Sequence, residues 1–162
     1  MKSIVLAAVV LALIAVSCAQ DNKTNSTAKP LDEYSGMYSF LRDGEFVQLT
    51  VEDQGHVTGF VSRYGDLESD KGEFLDQFFR QAKLEGTQLT FTTQTVHGVY
   101  FEFKGNIVRG EGKKPGDEAY YVMKGTLSEF VSDANKKVSS KSREVTLRMF
   151  PQEASSPKEK RD

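Results

Sequence analysis

The sequence predicts an all-β protein, an antiparallel up-and-down β-barrel of about eight strands with one short helix. Three observations predict it: apolar and polar residues alternate in several short segments, glycine-containing turns separate these segments, and one aromatic-rich segment has helical spacing. A meander of this length can bury its edge strands by closing on itself, which favours a barrel. An open, strongly bent sheet packed on the helix is the alternative.

The folded part begins with three predicted strands, at residues 36–42, 45–52 and 56–64. Asp43-Gly44 separates the first two, and this pair is a strong hairpin signal because both residues accept a positive φ angle. A second tight turn ends at Gly55. The three segments therefore form the start of a meander.

One segment interrupts the strand pattern and predicts a helix from Lys71 to about Gln81. Asp70 and Glu73 have the D-x-x-E spacing of a capping box. Apolar residues then recur at helical spacing, at Phe74, Leu75, Phe78 and Phe79. We expect this aromatic face to cover one side of the sheet as a lid or plug.

Five more strands are predicted, at residues 83–85, 87–93, 96–109, 119–131 and 143–150. In the 96–109 segment one face is apolar and the other polar, the apolar residues being Val99, Phe101, Phe103 and Ile107. One side of the sheet should therefore be packed and the other wet. Gly110–Gly116 is predicted to be an exposed loop between two long strands.

The N-terminus has the residue order of a secretory signal peptide. Lys2 precedes an apolar run from Ile4 to Val16, which is shorter than the ~20 residues of a membrane-spanning helix. A polar segment precedes the predicted barrel and another follows it, and their composition is typical of a flexible tether and a disordered tail. The predicted organisation is a signal peptide at 1–17, a flexible tether at 18–33, a β-barrel domain at 34–150 and a disordered tail at 151–162.

Cys18 is the only cysteine of the chain, which excludes an intramolecular disulfide. Ala15-Val16-Ser17-Cys18 resembles the lipobox of bacterial lipoproteins, although Ala15 stands where that family usually has Leu. The resemblance implies lipid attachment at Cys18 and a place in the bacterial cell envelope, in the periplasm or at the outer membrane. Cleavage after Ala19 with ordinary secretion is the alternative. In a eukaryotic source, residues 22–27 would hold two glycosylation sequons.

The charge balance of the chain excludes one class of partner. Removal of the signal peptide takes away Lys2 and leaves 20 Lys and Arg against 23 Asp and Glu. Acidic and basic residues are interleaved, so no broad basic surface is available for nucleic acid. The predicted partners are a membrane, through the N-terminal lipid, and a small-molecule or lipid ligand, while a protein partner is left unspecified.

Three segments together resemble the opening of the calycin class of barrels, which includes the avidins and lipocalins. They are Gly36-Met37-Tyr38, Phe46–Val51 and Gly55–Phe60. In that class a G-x-W begins the first strand, and Tyr38 stands here in the place of Trp. The resemblance implies an antiparallel barrel with an internal ligand cavity. The absence of Trp argues against a biotin pocket, whose walls in the avidins are tryptophans.

Tyr38, Tyr100 and Tyr121 are the candidate ligand-binding residues. A tyrosine joins an apolar ring to a polar tip and suits the wall of a pocket for an amphipathic ligand. Core packing is the alternative explanation of the same residues.

No metal site and no cofactor are predicted. The densest group of carboxylates comprises Asp66, Glu68, Asp70, Glu73 and Asp76. Lys71 stands where a calcium loop needs Gly, and Gln77 where it needs Glu. We interpret these acids as complementing the N-terminus of the predicted helix.

No catalytic site is predicted either. His56 and His97 are the only histidines, and neither has a ligand or partner at a recognisable spacing. The chain lacks G-x-S-x-G and a Gly-rich phosphate loop, so His97 and Glu102 are the only candidates for an unfamiliar hydrolase. The predicted function is an exported, lipid-anchored, non-catalytic barrel that binds a small or lipid-like molecule. The alternative is a protein-interaction or inhibitor module of the cell envelope.

Overall fold

The structure is a computed structural model that describes residues 31–52, 55–66, 68 and 70–152. This part is all-β and antiparallel, which confirms the predicted fold class. A 3₁₀ turn at Leu31–Tyr34 precedes eight strands: β1 (Gly36–Ser39), β2 (Phe46–Val51), β3 (Val57–Tyr64), β4 (Phe74–Glu85), β5 (Gln88–Thr93), β6 (Val99–Arg109), β7 (Tyr121–Ser132) and β8 (Val138–Arg148). Each strand pairs with the next in sequence order.

The boundaries of the folded part differ slightly from the predicted domain. Residues 31–33 of the predicted tether belong to the 3₁₀ turn. Gln152 of the predicted tail is bonded to the domain, because its side-chain amide donates to the carbonyl of Ser35 at 2.9 Å. The predicted signal peptide, Cys18 and most of the predicted tether and tail lie outside the described residues.

The sheet curls into a half-barrel whose first and last strands meet at one end. Tyr38 in β1 and Met149 just after β8 form an antiparallel bridge. The amide of Phe150 donates to the carbonyl of Met37 at 2.8 Å. Within the described residues, the part of β8 from 138 to 147 pairs with β7 alone. The barrel is therefore closed at one end, called here the closed end, and open along the seam beside the rest of β8.

The apolar core fills the inner side of the curl. In β6, Val99, Phe101, Phe103 and Ile107 are buried while the alternate positions are more exposed, as the alternation predicts. Fully buried core side chains come from both halves of the sheet, including Tyr38, Val47, Leu49, Leu89, Met123 and Leu127. Burial of apolar surface on one face thus holds the half-barrel together.

The predicted helix from Lys71 to Gln81 is wrong, and no lid or plug forms from it. From Phe74 onward these residues belong to β4, which pairs with β3 on one side and β5 on the other. Both neighbours satisfy the backbone groups of β4, so tertiary pairing overrides the local spacing. Phe78 is 53% exposed on the outer face. Phe79 points inward and stacks on Phe91, with ring centroids 4.4 Å apart.

The predicted capping box is a turn that precedes β4. The amide of Glu73 donates to the carbonyl of Asp70 at 3.1 Å. The side chain of Asp70 instead bonds His97. The five carboxylates of this region consequently do not serve a helix N-terminus.

A bulge in β4 explains why its inward residues do not follow a simple period of two. The register shifts between Phe79 and Gln81.

The ring of Phe79 covers Gly59 of β3, where an added Cβ would lie 2.8 Å from the ring and 2.0 Å from the carbonyl oxygen of Gln48. Only glycine at position 59 allows this close approach.

The first turn is longer than predicted. The Asp43-Gly44 pair predicts a direct connection between two strands, but β1 ends at Ser39 and β2 begins at Phe46. Gly44 does adopt the expected positive φ, at 85°. The connection over residues 40–45 places Arg42 and Glu45 against Tyr64 at the end of β3.

Candidate ligand pocket

The inner surface changes character from one end of the half-barrel to the other. Near the closed end the fully buried side chains are apolar or tyrosines, and the partly buried Glu33 contacts one of the tyrosines. At the opposite end, called here the open end, buried polar side chains appear on several strands and loops: Arg63, Asp70, Gln77 and Thr93. Burial of polar groups is costly without partners, so their contacts define the site.

Arg63 lies at the end of β3 and is 3% exposed. Its Nε donates to Oε1 of Gln77 at 2.8 Å. Its Nη1 donates to Oδ2 of Asp66 at 2.8 Å and to the carbonyl of Tyr64 at 3.0 Å. The guanidinium is thus neutralised by one carboxylate and held in a fixed plane.

Gln77 links three strands at the centre of this end. It is fully buried in β4, and its Nε2 donates to the carbonyl of Val99 at 2.7 Å and to that of Gln94 at 3.2 Å. With Arg63 on its Oε1, the amide connects β3 and β4 to the turn between β5 and β6. Gln77 therefore orients the guanidinium and the turn together.

That turn carries His97, whose Nδ1 forms a short contact with Oδ2 of Asp70. Asp70 is 7% exposed. His97 has a φ of 51°, an uncommon value for a residue other than glycine. The Asp70 contact and the paired backbone of Val96 and Val99 hold this conformation.

A second group of charges forms the rim. Asp66 is shared, since its other oxygen, Oδ1, accepts from Nη2 of Arg42 at 2.9 Å. The buried carboxylate of Glu45 accepts from Nε of Arg42 at 2.9 Å and from the amide of Tyr64 at 3.0 Å. Desolvation lowers the pKa of Arg42, but Glu45 and Asp66 outweigh it, so that this pKa is raised above its ordinary value.

A cavity of about 250 Å³ opens between these groups and the end of β7. We call it the polar end pocket, and its lining residues are Arg63, Asp66, Asp70, His97, Val99, Glu129, Val131 and Ser132. Glu129 also has a cationic partner, because Nη2 of Arg143 lies 2.8 Å from its Oε2. The pocket combines paired charges with two valine side chains.

The three candidate tyrosines do not come together in this pocket. Tyr38 and Tyr121 are buried near the closed end, where the Tyr38 hydroxyl donates to the carbonyl of Tyr34 at 2.7 Å and the Tyr121 hydroxyl to Oε2 of Glu33 at 2.7 Å. Burial raises the pKa of Tyr38, and Tyr121 and Tyr34 raise it further. Tyr100 lies on the outer face and stacks on Phe130, with centroids 4.5 Å apart.

The two hydrolase candidates also lie apart. His97 lines the polar end pocket, whereas Glu102 lies on the outer face of β6, in a shallow cleft of about 490 Å³ with Thr92, Lys104 and Ser128. His56 lines neither cavity, and its Nδ1 lies 3.0 Å from Oε2 of Glu52 in an exposed turn. Both histidines have an acidic partner, and the fold brings Asp70 to His97 from 27 positions away.

The predicted carboxylate group divides between two places. Asp66 and Asp70 line the polar end pocket, while Asp76 accepts a bond from the hydroxyl of Ser62 at 2.7 Å on the outer face. Among the described residues no group of three or more His, Cys, Asp or Glu is arranged to hold a metal ion. No helix in the described part of the chain has the length and hydropathy required to cross a bilayer.

Comparison with known proteins gives no further guidance. No family model matches the chain, and no curated protein or solved structure is significantly similar to it.

Proposed function

We propose that the protein is an exported, lipid-anchored, non-catalytic β-barrel that binds a small polar molecule in the polar end pocket. The observation that carries the proposal is this cavity of about 250 Å³, built on the buried Arg63 and Gln77. The signal-peptide pattern and the position of Cys18 support export and anchoring.

The dimensions of the pocket favour a small molecule over a lipid-like one. Pockets for drug-sized ligands measure roughly 300–1,000 Å³, more than the cavity of about 250 Å³ here. Within the curl, the space that a lipid chain would occupy in a hollow barrel is taken by core side chains such as Phe101 and Phe103. Of the two ligand classes that the sequence predicts, we therefore propose the small molecule and not the lipid-like one.

The charges of the pocket favour a neutral polar or zwitterionic ligand. Each lining carboxylate has a cationic or imidazole partner, Asp66 with Arg63, Asp70 with His97 and Glu129 with Arg143. Such pairs offer donors and acceptors side by side without a large net field. Val99 and Val131 add an apolar wall for a short carbon skeleton.

Ligand binding is tested on the purified mature chain by native mass spectrometry and by thermal shift with a library of amino acids and other small zwitterions. The two histidines supply a matched pair of variants. His97→Ala removes a lining group and should weaken binding at least tenfold, about 1.4 kcal/mol. His56→Ala, at the exposed turn beside Glu52, should leave binding unchanged.

Two results would count against the proposal. One is the absence of any bound or stabilising small molecule across the library. The other is a hydrolase activity that His97→Ala or Glu102→Ala abolishes, which would make the protein an enzyme.

Anchoring is tested separately by expressing the full chain in a bacterium and fractionating the cells. We expect the protein in the membrane fraction with a lipid-modified N-terminal peptide that begins at Cys18. Cys18→Ser should remove the lipid mass, while Ser26→Ala in the same segment should not. A released chain that begins at Gln20 would instead support ordinary secretion.

A second candidate function is a protein-interaction or inhibitor module, favoured by the loop between β6 and β7. The exposed Lys113-Lys114-Pro115 tip is held in one shape, because both lysine amides donate to Oδ2 of Asp117 at 3.0 and 3.1 Å. Arg109 stacks 3.3 Å from the ring centroid of Tyr120 at the base. Reversal of both lysines to Glu should then abolish co-purification of a stoichiometric protein partner, whereas His97→Ala should not.

A further inference from the structure

The outer face of β2, β3 and β4 carries a group of aromatic rings that the core does not use. We call it the outer aromatic face, and it consists of Phe46, Phe60, Tyr64, Phe74 and Phe78. The rings of Phe46 and Phe60 lie 5.9 Å apart, those of Phe60 and Phe78 5.4 Å apart, and those of Tyr64 and Phe74 4.5 Å apart. They form two neighbouring clusters across three strands.

Cross-strand pairing explains only part of this surface. Aromatic pairs stabilise a sheet through their mutual contact, yet Phe74 remains 49% exposed and Phe78 53% exposed. Met37 of β1 lies on the same face, because it pairs with Gln48, which in turn pairs with Phe60, and it is 42% exposed. Large apolar side chains that stay this exposed in two adjacent clusters are typical of an interaction site.

The place where the chain enters the domain indicates what covers this face. The described chain begins with the 3₁₀ turn at Leu31–Tyr34, and the next residue, Ser35, bonds the end of β2 through Val51 at 2.8 Å. The chain therefore enters beside the sheet that carries the outer aromatic face. From Ala19 to Pro30 there are 12 residues, which reach roughly 40 Å when extended at ~3.3–3.6 Å each.

We propose that the outer aromatic face rests on the surface of a lipid bilayer, with Phe74 and Phe78 inserted at headgroup depth. This inference rests on the proposed anchor at Cys18, which keeps the bilayer within reach. Aromatic side chains are well suited to the interfacial zone. Asp76, between the two ring clusters and bonded to Ser62, limits the contact to that zone. The face orients the domain, and the lipid anchors it.

The composition of the chain allows a direct test, because it has one Cys and no Trp. The mature chain is coupled through Cys18 to a maleimide lipid in phosphatidylethanolamine and phosphatidylglycerol vesicles, which supplies the anchor without cellular processing. Phe78→Trp then introduces a single indole on the face. Its emission should shift to shorter wavelength on coupling and should be quenched by brominated acyl chains.

Val138→Trp is the matched control, because Val138 is also 53% exposed but lies at the start of β8. Its emission should not respond to coupling or to brominated lipid. Phe74→Asp in the Phe78→Trp background should reduce the quenching severalfold, while circular dichroism shows that the variant keeps its fold despite the lost contact with Tyr64.

Three outcomes would overturn the proposal: no response at position 78, an equal response at 78 and 138, or a concentration-dependent blue shift at 78 without vesicles, which would mean that a second copy covers the face. Because the anchor is attached chemically, these outcomes are distinct from a failure of lipidation in the cell.

Discussion

Arg63 shows how one buried charge organises the open end. A guanidinium 3% exposed is tolerated only when its charge and its donors are matched. Asp66 supplies the charge, while Gln77 and the carbonyl of Tyr64 supply acceptors. The most sensitive of these partners is Gln77, because it is itself fully buried and bonded on both sides of its amide.

Gln77→Leu should lower the free energy of unfolding by about 2–4 kcal/mol. The substitution keeps the volume but removes the acceptor of Arg63 Nε and the bonds from the Gln77 amide to the carbonyls of Val99 and Gln94, of which the Val99 carbonyl keeps its bond from the amide of Val96. Gln81→Leu is the control on the same strand, at an exposed position, and should change stability by less than about 0.5 kcal/mol. Urea denaturation measures both. Equal effects would show that the network contributes nothing beyond ordinary packing.

Tyr38 gives a pH-dependent prediction at the other end of the barrel. Burial, with Tyr121 and Tyr34 nearby, raises its pKa above the ordinary value of 10.0. The folded state then retains a proton that the unfolded state loses, so stability is full below pH ~10 and falls as the pH rises further, by at most about 1.4 kcal/mol per pH unit.

Urea titrations between pH 8 and 11.5 measure this slope. Tyr38→Phe should flatten the alkaline loss relative to the unsubstituted chain, at the cost of the bond to the carbonyl of Tyr34. An unchanged slope would assign the alkaline transition to other groups.

β4 shows why local spacing failed as a predictor. Phe74, Leu75, Phe78 and Phe79 repeat as a helix face would, but the same spacing places alternate members on opposite faces of a strand. The inward position between them is Gln77, a polar residue, and the bulge after Phe79 breaks the period of two. Only pairing with β3 and β5 reveals the element.

Alanine substitutions at 78 and 79 distinguish the two interpretations of this segment. On a helix face both rings would be buried. In β4, Phe79 stacks on Phe91 and covers Gly59, so Phe79→Ala should lower the free energy of unfolding by about 2–4 kcal/mol. Phe78→Ala, at a residue 53% exposed, should cost less than about 1 kcal/mol. Comparable losses from both variants would contradict the strand.

The strands that the sequence predicted correctly share a regular alternation of apolar and polar residues. In β6 the buried and exposed residues alternate almost without a break, so the pattern alone identifies both the strand and its packed face. The polar end pocket has no such signal. Its key contacts join Arg63 to Gln77 and Asp70 to His97, residues 14 and 27 positions apart on different elements. A correct assignment of β4 would have placed the first pair on neighbouring strands.

Closure of the barrel depends on a short stretch at the C-terminal end. β1 is only four residues long, and the meeting of first and last strands rests on Met149, Phe150 and Gln152. Met149 is 2% exposed and bridges Tyr38, while the amide of Gln152 donates to the carbonyl of Gly116 at 3.0 Å. The rest of the molecule is a continuous meander in which every neighbour is also a sequence neighbour.

Two truncations of the mature chain test this account of closure. A chain that ends at Gln152 retains every contact described here and should melt as the complete chain does. A chain that ends at Arg148 loses the buried Met149 side chain and the bond from Phe150 to Met37, which opens the closed end, and should lose about 3 kcal/mol or more. Hydrogen exchange should then show the loss first in β1 and β8, since the other strands keep both partners. A uniform loss of protection would mean that the half-barrel unfolds as one unit and that closure stabilises all eight strands equally.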